Sequence, residues 1–270
     1  MPPAVASGRR PPAGATAAGS GRSAPIAQSS RRGERFELYV QPIVALDARC
    51  AVTHHEALLR LIDEDGTLRA PATFMPMLER LGLMPAVDRW VVREALDWWR
   101  IHHGALPGPG RLAINLSPQS LGDPAMTADV MQIFRDTDTT PEGLIIEITE
   151  NGAIPDLALA GAFLGELRRA GAEIALDDFG TGHASFRYLK ALPLDYLKAA
   201  GEFVRKIPDD PVDLAFVASM NLLGHDLGLR TIAEFVETPS ILAAVRELGL
   251  DFAQGYEIAH PCPIGSLLHA

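Results

Sequence analysis

The sequence predicts a closed β/α barrel, on three observations. Eight short apolar runs follow one another, helical stretches separate most of them, and the span they occupy suits one barrel domain. The runs are 36–44, 52–61, 112–116, 144–149, 174–178, 194–198, 230–234 and 251–254. Only about seven residues link the first two, which is too short for a helical crossover. The first strand is therefore expected to run antiparallel to the second. After a loop marked by Gly66 and Pro71 come two amphipathic helices, at 71–81 and 86–103. The second carries Trp90, Trp98 and Trp99, whose spacing suits core packing. Pro107-Gly108-Pro109-Gly110 reads as a loop, and further helices are expected at 124–136, 157–170, 184–191, 212–227 and 240–248.

Residues 1–33 are of a different kind. They are rich in Pro, Ala, Gly and Ser and hold five arginines (Arg9, Arg10, Arg22, Arg31, Arg32) with no acid. Such a composition buries too little apolar surface to order itself, so a disordered tail is expected ahead of a barrel domain at 34–270. The tail lacks the continuous apolar stretch of a signal peptide. Beyond it stand 19 basic residues against 34 acidic ones, a net charge of −15. That balance argues against DNA or RNA as a partner, though not against a small anion held through cations. No apolar run is long enough for a membrane span. The two cysteines, Cys50 and Cys262, form neither a disulfide scaffold nor a zinc motif, and a reduced, cytoplasmic setting is expected.

The chemistry gathers where the strands end. In barrels of this kind the reactive face is the C-terminal rim. Reading off that rim gives Glu56, Asn115, Glu147, Asp177 with Asp178, Lys198, Glu234 with nearby Glu237, and Gln254. Each sits within an otherwise apolar run, where an ionisable group is costly unless paired or bound to a cation. One such residue would be a solvated strand end; a polar residue at strand after strand points to a shared task. Six carboxylates cannot all stay ionised at one mouth without cations. Two divalent ions and Lys198 bring minus six to about minus one. An oxygen ligand set without Cys or His selects Mg2+ or Mn2+ over zinc. A pair of such ions is the clamp used for in-line cleavage of phosphate esters, so a phosphodiester is the expected substrate.

These residues also resemble a family. His55-Glu56-Ala57-Leu58-Leu59-Arg60 is similar to the signature of the EAL domains, which hydrolyse cyclic di-GMP to linear pGpG. Gln41-Pro42-Ile43, Asn115-Leu116-Ser117, Glu147-Ile148-Thr149-Glu150 and the run from Asp177 through Gly182 resemble its other motifs, in order. Asp195 through Lys198, Glu234 through Glu237 and Gln254-Gly255-Tyr256 complete the set. By this resemblance Glu56, Asn115, Glu147, Asp177, Asp178 and Glu234 would ligate two divalent cations, with Asp177 bridging both. Lys198 would orient the attacking water, Gln254 and Glu237 would support the network, and Gln41 and Arg60 would hold cyclic di-GMP. Family precedent is compatible with a homodimer.

The chain departs from the family pattern at several places. Ala199-Ala200 replaces Ile-Asp after the lysine, removing an acid. Phe235 stands for a glycine between two glutamates, where it would crowd the mouth or reroute the loop. His183 replaces an aromatic in the loop linked to dimer contact, and Ala259-His260 replaces Gly-Arg. His54 faces the interior with Glu56 and reads as a packed histidine. No predicted ligand is lost, so hydrolysis leads. The alternative is a domain that binds cyclic di-GMP or a protein partner without cleavage. A glycosidase needs two acids flanking one bond, which a ring of acids and amides does not resemble.

Overall fold

The computed structural model describes residues 35–105, 110–182 and 185–269. The arginine-bearing segment, most of the Pro-Gly-Pro-Gly loop and His183 lie outside the described residues. Eight strands close into a barrel: β1 (Arg35–Ala45), β2 (Val52–Ile62), β4 (Arg111–Leu116), β5 (Leu144–Thr149), β6 (Glu173–Phe179), β7 (Tyr196–Ala199), β8 (Arg230–Ala233) and β9 (Phe252–Ala253). From β2 to β9 every neighbouring pair is parallel. β1 closes the ring antiparallel to both β2 and β9, as its short connection requires. Two accessory strands that the sequence pattern does not announce, β3 (Leu68–Arg69) and β10 (Cys262–Pro263), pair with β2 and β1.

Around the barrel lie α1 (Pro71–Arg80), α2 (Met84–His102), α3 (Pro118–Leu121), α4 (Pro124–Asp136), α5 (Leu157–Arg169), α6 (Ser185–Ala191), α7 (Gly201–Val204), α8 (Pro211–Asp226) and α9 (Pro239–Glu247). Their starts are written in the sequence as a capping side chain followed by proline. Ser117-Pro118, Asp123-Pro124, Asp210-Pro211 and Thr238-Pro239 each place a side-chain oxygen on a free N–H of the first turn. No helix among the described residues is long and apolar enough to cross a membrane.

Strand alternation fixes what the barrel holds. One inward layer comprises Ile43, Ala113, Ile145, Ala175, Tyr196 and Ile232, with Phe252 packed against it. His54 joins this layer, its ring 5.7 Å from Tyr196 and 5.6 Å from Phe252. Below it Glu173 ties Arg111, Arg230 and the Tyr196 hydroxyl together and closes the far end. Two residues further along each strand, toward the opposite end, the inward residue is polar.

His54 is a packed histidine with a defined tautomer. Thr53 Oγ1 donates to the Ile43 carbonyl at 3.1 Å, so its contact with His54 Nδ1 at 2.9 Å needs the proton on the ring. Burial, with Lys198, Arg111 and Arg230 nearby, lowers its pKa from 6.5 to about 3. The unfolded chain therefore takes up a proton below about pH 6.5 that the folded chain refuses until about pH 3. Between those limits His54 withdraws about 1.4 kcal/mol of stability per pH unit of acidification. In urea titrations from pH 6 to pH 4, the His54→Leu variant should lose stability less steeply by that slope; a slope equal to wild type would contradict this assignment.

Candidate active site

The polar layer faces the C-terminal mouth of the barrel and is built around one cation. Lys198, on β7, is completely buried. Its Nζ lies 2.8 Å from Glu147 on β5, 2.8 Å from Glu234 just after β8, 3.2 Å from Asp177 on β6 and 3.3 Å from Glu56 on β2. Each partner comes from a different strand, which is why the cluster exists only in the folded barrel. Amides finish it. Asn115 Nδ2 donates to Glu56 Oε1 at 2.8 Å, and Gln254 Nε2 donates to Glu56 Oε2 at 2.8 Å.

The electrostatics divide these acids. Burial pushes Glu147 well above the usual carboxylate range, and the Glu56 charge adds to it. Burial and the Asp177 charge do the same to Glu234. For Glu56 burial acts in the same sense, but Lys198 and the two amide donors outweigh it and its pKa falls. Lys198 is opposed by its own burial, yet Asp177, Glu147, Glu234 and Glu56 together raise its pKa well above the ordinary value. It stays protonated.

Asp178 sits at the lip, where β6 turns. Its φ of +55° is left-handed, a region that aspartate tolerates better than most residues. Its N–H donates to Asp177 Oδ1 at 2.9 Å, and its carboxylate accepts from Asn151 Nδ2 at 3.4 Å. Burial and the Asp177 charge raise its pKa to about 6. Glu150 secures the turn by accepting the Gly180 N–H at 2.7 Å.

The ring opens into a cavity of about 410 Å³ whose wall includes Gln41, Glu56, Arg60, Asp177, Asp178 and Glu234. Gln41 is buried and uses both ends of its amide within the protein: Nε2 donates to the Ala259 carbonyl at 2.9 Å, and Oε1 accepts from Gln254 at 3.3 Å. Arg60 lies on the wall outside the carboxylate network, with its guanidinium 5.6 Å from the Tyr39 ring. Glu237 also lies on the wall, bound to Arg205 at 3.2 Å. Phe235 has φ +51°, the left-handed region that glycine enters most readily. Ala199 and Ala200 are buried and bring no acid beside Lys198. Sequence reading did not single out Asn151 or Arg205, because spacing carries no sign of their partners.

Two observations test whether divalent cations suit these residues. Asp177, Asp178 and Glu234 each place an oxygen within 4.8 Å of the others. Glu147 Oε1 is buried without a hydrogen-bond partner, as is Gln254 Oε1. Buried acceptor oxygens without donors, in an acidic ring, fit hard cations.

Fold and site together define a β/α-barrel protein with a cluster of carboxylates at its C-terminal mouth. The family model described as EAL domain matches residues 25–261, and the chain belongs to the EAL domain family. It is 38% identical over 244 residues to the cyclic di-GMP phosphodiesterase PdeB of Shewanella oneidensis, covering 89% of this chain and 28% of that protein. It is 35% identical over 237 residues to the cyclic di-GMP phosphodiesterase PdeF of Escherichia coli, covering 88% of this chain and 31% of that one. The chain thus spans under a third of the length of these relatives. A solved structure of the PaMucR phosphodiesterase in complex with c-di-GMP superposes with a TM-score of 0.79 at 30% identity, covering 91% of this chain and 99% of that one.

Replacing Lys198 with methionine leaves three buried carboxylates, and the half-buried Asp177, without their cation. In urea unfolding with EDTA, Lys198→Met should lose about 3–5 kcal/mol. Unchanged stability would show that the ring does not depend on this residue.

Proposed function

We propose that this chain hydrolyses one phosphodiester bond of cyclic di-GMP to give linear pGpG, using two divalent cations, Mg2+ or Mn2+. The observation that carries the reading is the ring of acids and amides around Lys198, open to a cavity with Arg60 on its wall. The names of the relatives support the substrate. Glu56, Asn115, Glu147, Asp177, Asp178 and Glu234 would hold the cations. When bound, these ions supply Lewis acidity, making a water acidic enough to attack at neutral pH and taking up charge on the phosphate.

The rest falls to the chain's own side chains. Water adds across one P–O bond, leaving a phosphate monoester and a free ribose hydroxyl. Lys198 remains protonated, so it cannot be the base that deprotonates the water. It acts as a donor that orients the water and as a fixed positive charge inside the ring. Arg60 presents a planar fork of donors suited to a phosphate oxygen. Gln254 holds Glu56, and Gln41 in turn holds Gln254, so both support the ligand frame from behind. Glu237, on the cavity wall, is held by Arg205.

A second reading, capture of the cyclic dinucleotide without cleavage, is favoured by the apolar pair Ala199-Ala200 where the family carries an acid. Chromatography of cyclic di-GMP incubated with the purified chain and Mg2+ or Mn2+ separates the two: pGpG supports hydrolysis, whereas binding without product supports capture. Glu56→Ala and Asp177→Ala should each lower the rate by about 100-fold or more while the fold persists. Near-normal turnover in either would refute the metal assignment.

A further inference from the structure

Phe235 is unusual on three counts. It has a left-handed φ of +51°, a region costly for a bulky side chain and free for glycine. Hydrogen bonds on both sides impose that conformation. Glu234 N–H bonds the Ala199 carbonyl at 3.4 Å, and Val236 N–H bonds the Gln254 carbonyl at 2.9 Å. The side chain is nevertheless left 43% exposed, at a position that lines the cavity beside Glu234. The ring strains its backbone and yet leaves 43% of its surface open at the cavity wall.

Its surroundings are fitted to it. A Cβ added at Gly201 would lie 2.0 Å from Phe235 Cδ2, so only glycine at 201 leaves room for the ring. The Arg205 guanidinium carbon lies 4.0 Å from the ring centroid, within cation–π range, and Glu237 holds Arg205 at 3.2 Å. Gly201 and Arg205 thus fix the ring on the cavity wall, next to the carboxylate ring, with a positive charge held against it. A flat π surface beside a cation matches a purine linked to a phosphate.

We propose that Phe235 contacts one base of the cyclic dinucleotide and sets its affinity, with Gly201 and Arg205 holding the ring in place. This rests on the reading of the site given above. Phe235 is a specificity-determining contact at the cavity lip and takes no part in bond cleavage.

The test uses the full chain with cyclic di-GMP as the probe. Calorimetric binding is measured in EDTA, where turnover is suppressed, and steady-state kinetics in Mg2+. Phe235→Gly and Phe235→Leu should each weaken Kd and raise KM by about 5- to 50-fold, with kcat within about twofold. Phe235→Tyr should stay near wild type. Thermal unfolding of Phe235→Gly should show no loss of fold, since glycine relieves the φ strain. Unchanged Kd and KM in Phe235→Gly, or in Phe235→Leu, would overturn the inference while leaving the site intact. A wild-type chain that neither binds nor cleaves the dinucleotide would remove the reading of the site and this inference with it.

Discussion

One buried ammonium group among four carboxylates sets the terms for this molecule. Lys198 Nζ lies within 3.3 Å of Glu56, Glu147, Asp177 and Glu234. A buried ionised group taken from water costs several kcal/mol even after relaxation, and one positive charge cannot offset four negative ones. The excess appears as the raised pKa values of Glu147 and Glu234 and as the unpartnered Glu147 Oε1. The barrel supports the frustrated cluster with a large apolar shell, including eight residues of β4, β5 and β6 that are almost entirely buried: Leu112, Ile114, Leu116, Leu144, Ile146, Ile148, Ile174 and Leu176. Those strands are rigid because both faces are covered, and rigidity keeps like charges close together.

Much of this was legible in the sequence because of a period of two. Ile145 and Glu147, Ala175 and Asp177, and Tyr196 and Lys198 are paired positions on one face of a strand. Once the runs are aligned as a barrel, the apolar member falls into the interior layer and the polar member onto the rim. The antiparallel first strand follows from chain length alone.

What stayed hidden depends on contacts between distant segments. Nothing around Gln41 in sequence reveals that its amide is taken up by Gln254 and Ala259, more than two hundred residues away. Glu237 is one of a pair of glutamates in sequence, but Arg205 draws it to the wall, away from Lys198. Phe235 posed a choice between a crowded mouth and a rerouted loop. The backbone takes a left-handed φ there, and Gly201 makes room for the ring. The short strands β3 and β10 carry too few residues for any periodicity to show.

The acidic ring is proposed as a binding frame for hard cations. Isothermal titration of the metal-free chain with Mg2+ and Mn2+ tests it most directly. Saturable uptake approaching two ions per chain is expected, with at least one lost in Asp177→Ala. No saturable uptake of either ion, at any pH where the chain is folded, would contradict it.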